Sequence, residues 1–406
     1  MNVIFLTLFK IRDERQEDIY SSFLRELVSH GHDAYVISPV ERREEERLKP
    51  LDIGRLHLRF AYIGNYFNVS RIEKGITTFF IGKQYKKVIK KELAGISFDL
   101  ILYSTPPVTF ADTIKYLKKN RTAISYLMLK DIWPQSLADL GCIKKSGWQG
   151  MIYKHFRRQE QKMYRVSDYI GCMSPAAARY LLKHNKCVKR DKVEICPNAI
   201  NLGNVMHRHL LSETDRIEVR EKYGIPIDKV VFVFGGNIGY GHDPDFLEAC
   251  IKENENRGDT FILFVGKGIF FDRIHHAIEF GAIKNSKIIP YLPKPDYDRL
   301  LSACDVGMIV LDHRLTAPNY PSRLLSYLSE KKPVIIATET VSDVGPVAQK
   351  NGYGYWCKST DAKKFVSLMD EYLDTDKRQK MGERGYMYMK EKFSTEVVYN
   401  TIMQHF

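Results

Sequence analysis

The sequence predicts an α/β protein built as two doubly wound, Rossmann-like units that face each other across a ligand-binding cleft. Three observations predict it. At 406 residues the chain exceeds what one ordinary hydrophobic core organises. Short apolar runs alternate with longer stretches of helical period from end to end, as in parallel sheets covered by helices on both faces. The alternation breaks once, at a polar stretch over 198–216, and then restarts. That stretch is the expected hinge.

In the first series, apolar runs at 3–8, 34–38, 100–103, 123–127 and 169–172 read as strands. A helix is predicted over 18–29, where Ile19, Phe23 and Leu27 recur every four residues. The second series places strands at 230–235, 260–265, 287–289, 306–310 and 334–337, with helices near 245–254, 269–280, 297–302 and 321–330. The helical tail over 361–406 is too short for a further domain and is expected to close the second unit before packing back on the first. The expected division is 1–197, 198–385 and a returning helix at 386–406.

Charge is uneven. Residues 1–200 carry 35 Lys and Arg against 21 Asp and Glu, whereas 201–406 carry 27 against 28. Two helical stretches hold much of the excess: Lys83, Lys86, Lys87, Lys90 and Lys91, then Lys154, Arg157, Arg158, Lys162 and Arg165. Solvated helix faces give such runs, and so does attraction to anionic membrane lipid or to a phosphorylated lipid acceptor. Nucleic acid is not expected as a partner, because charge alone would argue for it.

The apolar start, Met1 to Phe9, lacks a basic leader and reads as a buried first strand instead of a signal peptide. No uncharged apolar run approaches the roughly 18 residues that cross a bilayer. Seven scattered cysteines without Cys-x-x-Cys spacing suit a reducing cytoplasm and argue against structural zinc.

The chemistry concentrates in the second half. Phe234-Gly235-Gly236-Asn237-Ile238-Gly239 ends a strand in a glycine loop whose backbone a ligand can approach closely. The loop is neither Gly-x-Gly-x-x-Gly nor followed by Lys-Ser/Thr, so the dinucleotide and P-loop fingerprints both fail. Pro318-Asn319-Tyr320-Pro321-Ser322-Arg323-Leu324 opens a helix just beyond the strand at 306–310, where parallel sheets bind anions.

Taken in order, these segments resemble the GT-B glycosyltransferases of family four, in particular the fucosamine transferase-like enzymes of bacterial capsule and O-antigen synthesis. Pro197-Asn198-Ala199-Ile200 is similar to that family's Pro-Asn-Gly hinge, the glycine loop to its Gly-Asn-Leu-Gly, and Phe264-Val265-Gly266-Lys267-Gly268 to its Val-Gly-x-Gly strand end. Leu300-Leu301-Ser302-Ala303-Cys304-Asp305-Val306-Gly307, the Pro-Ser-Arg helix before Lys332-Pro333-Val334-Ile335, and Lys130-Asp131-Ile132-Trp133-Pro134 in the first half complete six ordered matches. The sequence departs from the family at the Glu-x7-Glu pair, whose positions hold Pro318 and Ser326. It also lacks the Arg and Lys that usually follow the glycine loop, and the Gly-Gly after the first strand.

The resemblance implies a retaining, metal-independent transferase that needs no resident cofactor and takes a UDP-linked sugar as co-substrate. It assigns the donor diphosphate to the N–H groups from Pro321 to Leu324 and to Arg323, with Gly235, Gly236, Asn237 and Ile238 covering it and Lys267 or His242 as further cations. Tyr291 and Leu292 would hold the base, with Tyr320, Ser322 and Ser326 completing the set. Asp131 is the candidate contact to acceptor or reacting sugar, then Lys130 and Lys10; the alternative is that Asp131 only caps the turn before Ile132-Trp133-Pro134. Expected partners are a nucleotide sugar, a lipid-linked glycan acceptor and an anionic membrane met by the basic half, which places the protein on the cytoplasmic face of the plasma membrane. A catalytically inactive GT-B subunit is the alternative function. Asp243-Pro244-Asp245 and Asp296-Tyr297-Asp298 show Asp-x-Asp spacing, but both sit at helix starts, where acidic caps are favoured without a metal.

Overall fold

The computed structural model describes all residues except 15, 17, 45, 46, 68, 120, 121 and 204–210, and leaves out the side chain of Arg71. Part of the expected hinge, 204–210, therefore lies outside the described residues. The chain forms two compact units: Met1–Asn201 with Ser394–Phe406, and Leu202–Phe393.

The first unit is built on strands β1 (Asn2–Leu6), β2 (Asp33–Glu41), β3 (Leu51–Ile53), β4 (Leu56–Ile63), β5 (Leu100–Ser104), β6 (Ile124–Leu129), β7 (Tyr169–Cys172) and β8 (Val193–Ile195). They lie in the order β3-β4-β2-β1-β5-β6-β7-β8. All pairs are parallel except the β3–β4 hairpin. Central strands are apolar on both faces because helices cover both; every residue of β5 is buried. The β3–β4 hairpin and β8 add to the predicted set. In β4, His57 stacks on Tyr35 and Arg59 pairs with Asp52, so polar residues interrupt the apolar run that marks its neighbours.

Helix α1 (Ile19–Ser29) starts at Asp18, whose carboxylate accepts the N–H groups of Tyr20 and Ser21. Helices α2 (Arg71–Glu92) and α3 (Gly147–Val166) follow β4 and β6. The terminal helix α8 (Thr395–Met403) buries Val398 and Ile402 in the core cluster that holds Leu24 and Leu27 of α1. Just before it, Ser394 bridges to Ile200, and the Thr395 N–H donates to the Ile200 carbonyl at 3.1 Å.

The second unit has six parallel strands: β9 (Val230–Asn237), β10 (Thr260–Lys267), β11 (Ser286–Pro290), β12 (Val306–Val310), β13 (Val334–Ala337) and β14 (Gly354–Cys357). Their order is β11-β10-β9-β12-β13-β14, which reverses direction between β9 and β12. Asp305, entering β12, anchors helix α4 (Glu213–Lys222) by holding Arg216 and the buried Arg220, each at 2.6 Å. It also accepts the Val231 N–H. No helix among the described residues is long and apolar enough to cross a membrane.

Candidate functional site

Ligands of doubly wound sheets bind beyond the strand ends where the strand order reverses. In the second unit this point lies between β9 and β12, and the predicted donor residues gather around it. Register sets Gly235, Gly236 and Asn237 beside Val265, Gly266 and Lys267, and the Ile238 N–H donates to the Lys267 carbonyl at 2.8 Å. Two glycines are required here. A Cβ on Gly235 would fall 1.8 Å from the Tyr297 hydroxyl. Gly236 has φ +105 with open space where its Cβ would project, so a bare, left-handed backbone faces outward. Gly236 and Asn237 are exposed, and Ile238 is buried. Lys267 extends over the exposed ring of Tyr291, 4.1 Å from its centroid, and Leu292 beside it is partly buried.

Arg323 is held beneath this loop. Its guanidinium lies 4.1 Å from the centre of the Phe234 ring, and Nη2 donates to the Asn237 carbonyl at 3.1 Å and to His242 Nε2 at 2.9 Å. Nη1 is buried without a hydrogen-bond partner, and among the described residues no carboxylate pairs with Arg323. A guanidinium can only donate, so His242 accepts at Nε2 and carries its proton on Nδ1, toward the Gly239 carbonyl. Burial, then the neighbouring Arg323, pushes the His242 pKa well below the usual histidine range. His242 is thus neutral and does not serve as the cation expected of it.

The helix after β12 also differs from expectation. α7 (Arg323–Ser329) is seven residues long and starts two residues later than predicted, behind the exposed Ser322. Pro321 has no N–H, and the Leu324 N–H is taken by the Pro321 carbonyl at 3.2 Å. Among the described residues only the N–H groups of Ser322 and Arg323 lack an acceptor within this segment. So short a helix adds little dipole, and the positive charge on offer in this segment is the Arg323 guanidinium. Two predicted contacts face the core: Leu324 is fully buried, and Tyr320, 9% exposed, packs against Phe393. Ser326 is partly buried, and its carbonyl accepts from the Ser329 hydroxyl.

In the first unit Lys130 and Asp131 follow β6 directly. The Lys130 ammonium donates to the Pro197 carbonyl at 3.1 Å and approaches that of Cys196 at 3.5 Å, and desolvation lowers its pKa to about 8. It ties the end of β6 to the chain after β8. Lys10 is likewise committed, pairing with Glu41 at 2.7 Å and Glu44 at 2.8 Å. Asp131 is different. Its carboxylate is exposed, accepts no hydrogen bond among the described residues and caps no turn, so the capping reading fails. The surrounding protein still raises its pKa by desolvation, against the pull of Lys74 and Lys130.

Lys74 was not anticipated. It lies one turn before the buried Thr77 and Thr78 on α2, with its ammonium 4.7 Å from the Tyr66 ring centre, and desolvation lowers its pKa while Asp131 raises it. The signal in the sequence is a lysine in phase with the buried face of a helix.

Asp243, Asp312 and His313 bring possible ligand atoms within 4.8 Å of one another. Each carboxylate is already in use: Asp243 caps α5 (Pro244–Asn254) and binds His313 at 2.6 Å, and Asp312 holds Arg314 through three contacts. In the second Asp-x-Asp pair, Asp296 lies in the first turn of α6 (Lys294–Ala303) and Asp298 pairs with Lys294.

Residues 20–204 match the model of Glycosyltransferase Family 4, and residues 215–388 that of Glycosyl transferases group 1. A probable glycosyltransferase of Pseudomonas aeruginosa, WbjE, is 22% identical over 284 residues, which are 68% of this chain and 67% of that protein. Among solved structures, Alr3699/HepE of Anabaena in complex with UDP is similar at TM-score 0.64 and 12% identity, over 100% of this chain and 99% of that one. WaaG, a glycosyltransferase involved in lipopolysaccharide biosynthesis, is similar at TM-score 0.64 and 12% identity, over 98% of both chains.

Proposed function

We propose that the chain, whose two halves match the models of Glycosyltransferase Family 4 and Glycosyl transferases group 1, is a GT-B glycosyltransferase that transfers a sugar from a UDP-linked donor to a lipid-pyrophosphate-linked glycan in bacterial surface polysaccharide synthesis, with retention of configuration. An N-acetylamino sugar is the donor residue we favour. The observation that carries this reading is Arg323: a guanidinium under an open glycine loop, with no carboxylate partner and one nitrogen unsatisfied. A diphosphate supplies the missing acceptor and counter-charge. The UDP bound in the Anabaena structure supports the donor class, and the involvement of WaaG in lipopolysaccharide biosynthesis supports the pathway class.

As the bond from sugar to diphosphate breaks, negative charge grows on the leaving oxygen. Arg323, Lys267 and the N–H group of Ser322 would stabilise it without reorganising. Tyr291 and Leu292 would receive the base. Asp131, exposed beside Lys74, would meet the acceptor. Calorimetry with UDP tests the donor half: R323K should bind roughly thirtyfold more weakly while folding normally. Unchanged affinity would remove Arg323 from the site.

Pro318 and Ser326, in place of the family's two glutamates, favour a second reading, a nucleotide-sugar-binding subunit without catalysis. Binding of UDP with no UDP release from a panel of UDP-sugars and membrane lipid extract would establish it.

A further inference from the structure

The donor reading leaves unused a surface that α2 and α3 expose together. On α2, Ile72, Ile76, Phe79 and Phe80 are 71%, 56%, 42% and 50% exposed, while Thr77, Ile81, Tyr85 and Ile89 are buried on the opposite face. At 3.6 residues per turn, Lys83, Lys87 and Lys90 continue the outward face. Helix α3 repeats the order: Trp148 and Met151, 62% and 68% exposed, are followed on one face by exposed Lys154, Arg158, Lys162 and Arg165.

The two faces form one surface. Phe79 packs against His155 and Phe156, with ring centres 4.6 Å and 5.0 Å apart. Both helices follow strands of the same parallel sheet and so run in the same direction. Their apolar starts therefore lie at one end, the end of the sheet at which Asp131 follows β6, and their cations extend behind. Among the described residues none of these exposed lysines and arginines pairs with a carboxylate. Of the three acids on these helices, Glu73 accepts from Asn65, Glu92 faces Arg59 at 3.9 Å, and Glu160 is buried with Tyr164 and Arg157.

We infer that this face docks on an anionic lipid surface. Ile72, Ile76, Phe80, Trp148 and Met151 enter the boundary between headgroups and acyl chains, and the lysines and arginines lie along the lipid phosphates. Charge complementarity selects the occupant: an apolar patch backed by unpaired cations fits a negative, partly apolar layer. The inference rests on the lipid-linked acceptor reading and adds the face and the residues that bring the site to that acceptor.

Trp148 reports the event. Adding vesicles of phosphatidylcholine with phosphatidylglycerol should blue-shift tryptophan emission in the full-length protein, and W148F should abolish the shift. Vesicles of phosphatidylcholine alone should give little, and salt should weaken the effect. F80E/M151E alters two exposed positions and so keeps the fold; its vesicle partitioning should fall roughly tenfold or more. F280E, at an 84% exposed residue of the second unit, should bind like the wild type. If F80E/M151E partitions normally, this face is not the docking surface, although membrane binding stands. If the wild type ignores vesicles yet releases UDP on detergent-solubilised lipid acceptor, the docking inference falls and the transferase reading survives. A dimer lost in F80E/M151E, without lipid binding, would assign the face to a second copy of the chain.

Discussion

The first strand of each unit is apolar and ends in a loop, and the two loops are used in opposite ways. After β1, the first loop carries Lys10 and Arg12, and both are matched: Lys10 pairs with Glu41 and Glu44, and Arg12 reaches Glu44, the Ser38 hydroxyl and the Pro39 carbonyl. After β9, the second loop has almost no charge. Gly236 leaves open space at its surface, and beneath the loop lies one guanidinium that, among the described residues, pairs with no carboxylate. Charge in a loop thus marks a binding site only where the chain has not already neutralised it. The first loop is a fastening, and the second is the receptor we propose for the donor.

The largest test of this contrast lies in acid. Desolvation alone would raise the Glu41 pKa, but hydrogen bonds from Lys10, from the N–H groups of Tyr66 and Phe67, and from Arg43 hold it at about 2, against an ordinary 4.5. A depressed carboxylate contributes stability above its unfolded pKa and loses it as pH falls through the folded value. The gap is worth roughly 3 kcal/mol, present above pH 4.5 and lost toward pH 2. E41Q should flatten the acid limb of stability in denaturant titrations while leaving UDP binding intact.

Next in size is G235A. Its methyl group would meet the Tyr297 hydroxyl and should cost about 2 kcal/mol of stability, with UDP affinity lost as the loop shifts. Normal UDP binding by G235A would refute the placement of the donor under this loop. Matched truncations sharpen the comparison at the smallest scale. K10M should lose about 1 kcal/mol of stability and no UDP affinity. N237A, at an exposed side chain, should stay within about 0.5 kcal/mol of wild-type stability yet bind UDP measurably more weakly. Equal effects in both assays would erase the distinction between the loops.

The fold was legible where burial on two faces forces an unbroken apolar run, as in β5 and β12. It was less so in β4, where alternating His57 and Arg59 serve cross-strand partners, and in the four-residue β14. That the glycine loop and Arg323 lie together could be read because each follows one of the two strands, β9 and β12, between which the strand order reverses. The commitments of Lys10 and Lys130 could not be read. A sequence gives charges in order of position, whereas pairing depends on Glu41, more than 30 residues away, and on carbonyls at Cys196 and Pro197. His242 failed for the same reason, since its neutrality follows from burial against Arg323.

The return of the last helix to the first unit has a consequence for biogenesis. Synthesis runs from the amino to the carboxyl end, so Val398 and Ile402, which complete the core beside Leu24 and Leu27, emerge only after the entire second unit has been synthesised. The half that is translated first is finished last. Its nascent form leaves an apolar seam along α1 uncovered for most of translation, and a message cut short after the second unit would yield a protein whose defect lies at the opposite end of the gene from the lesion.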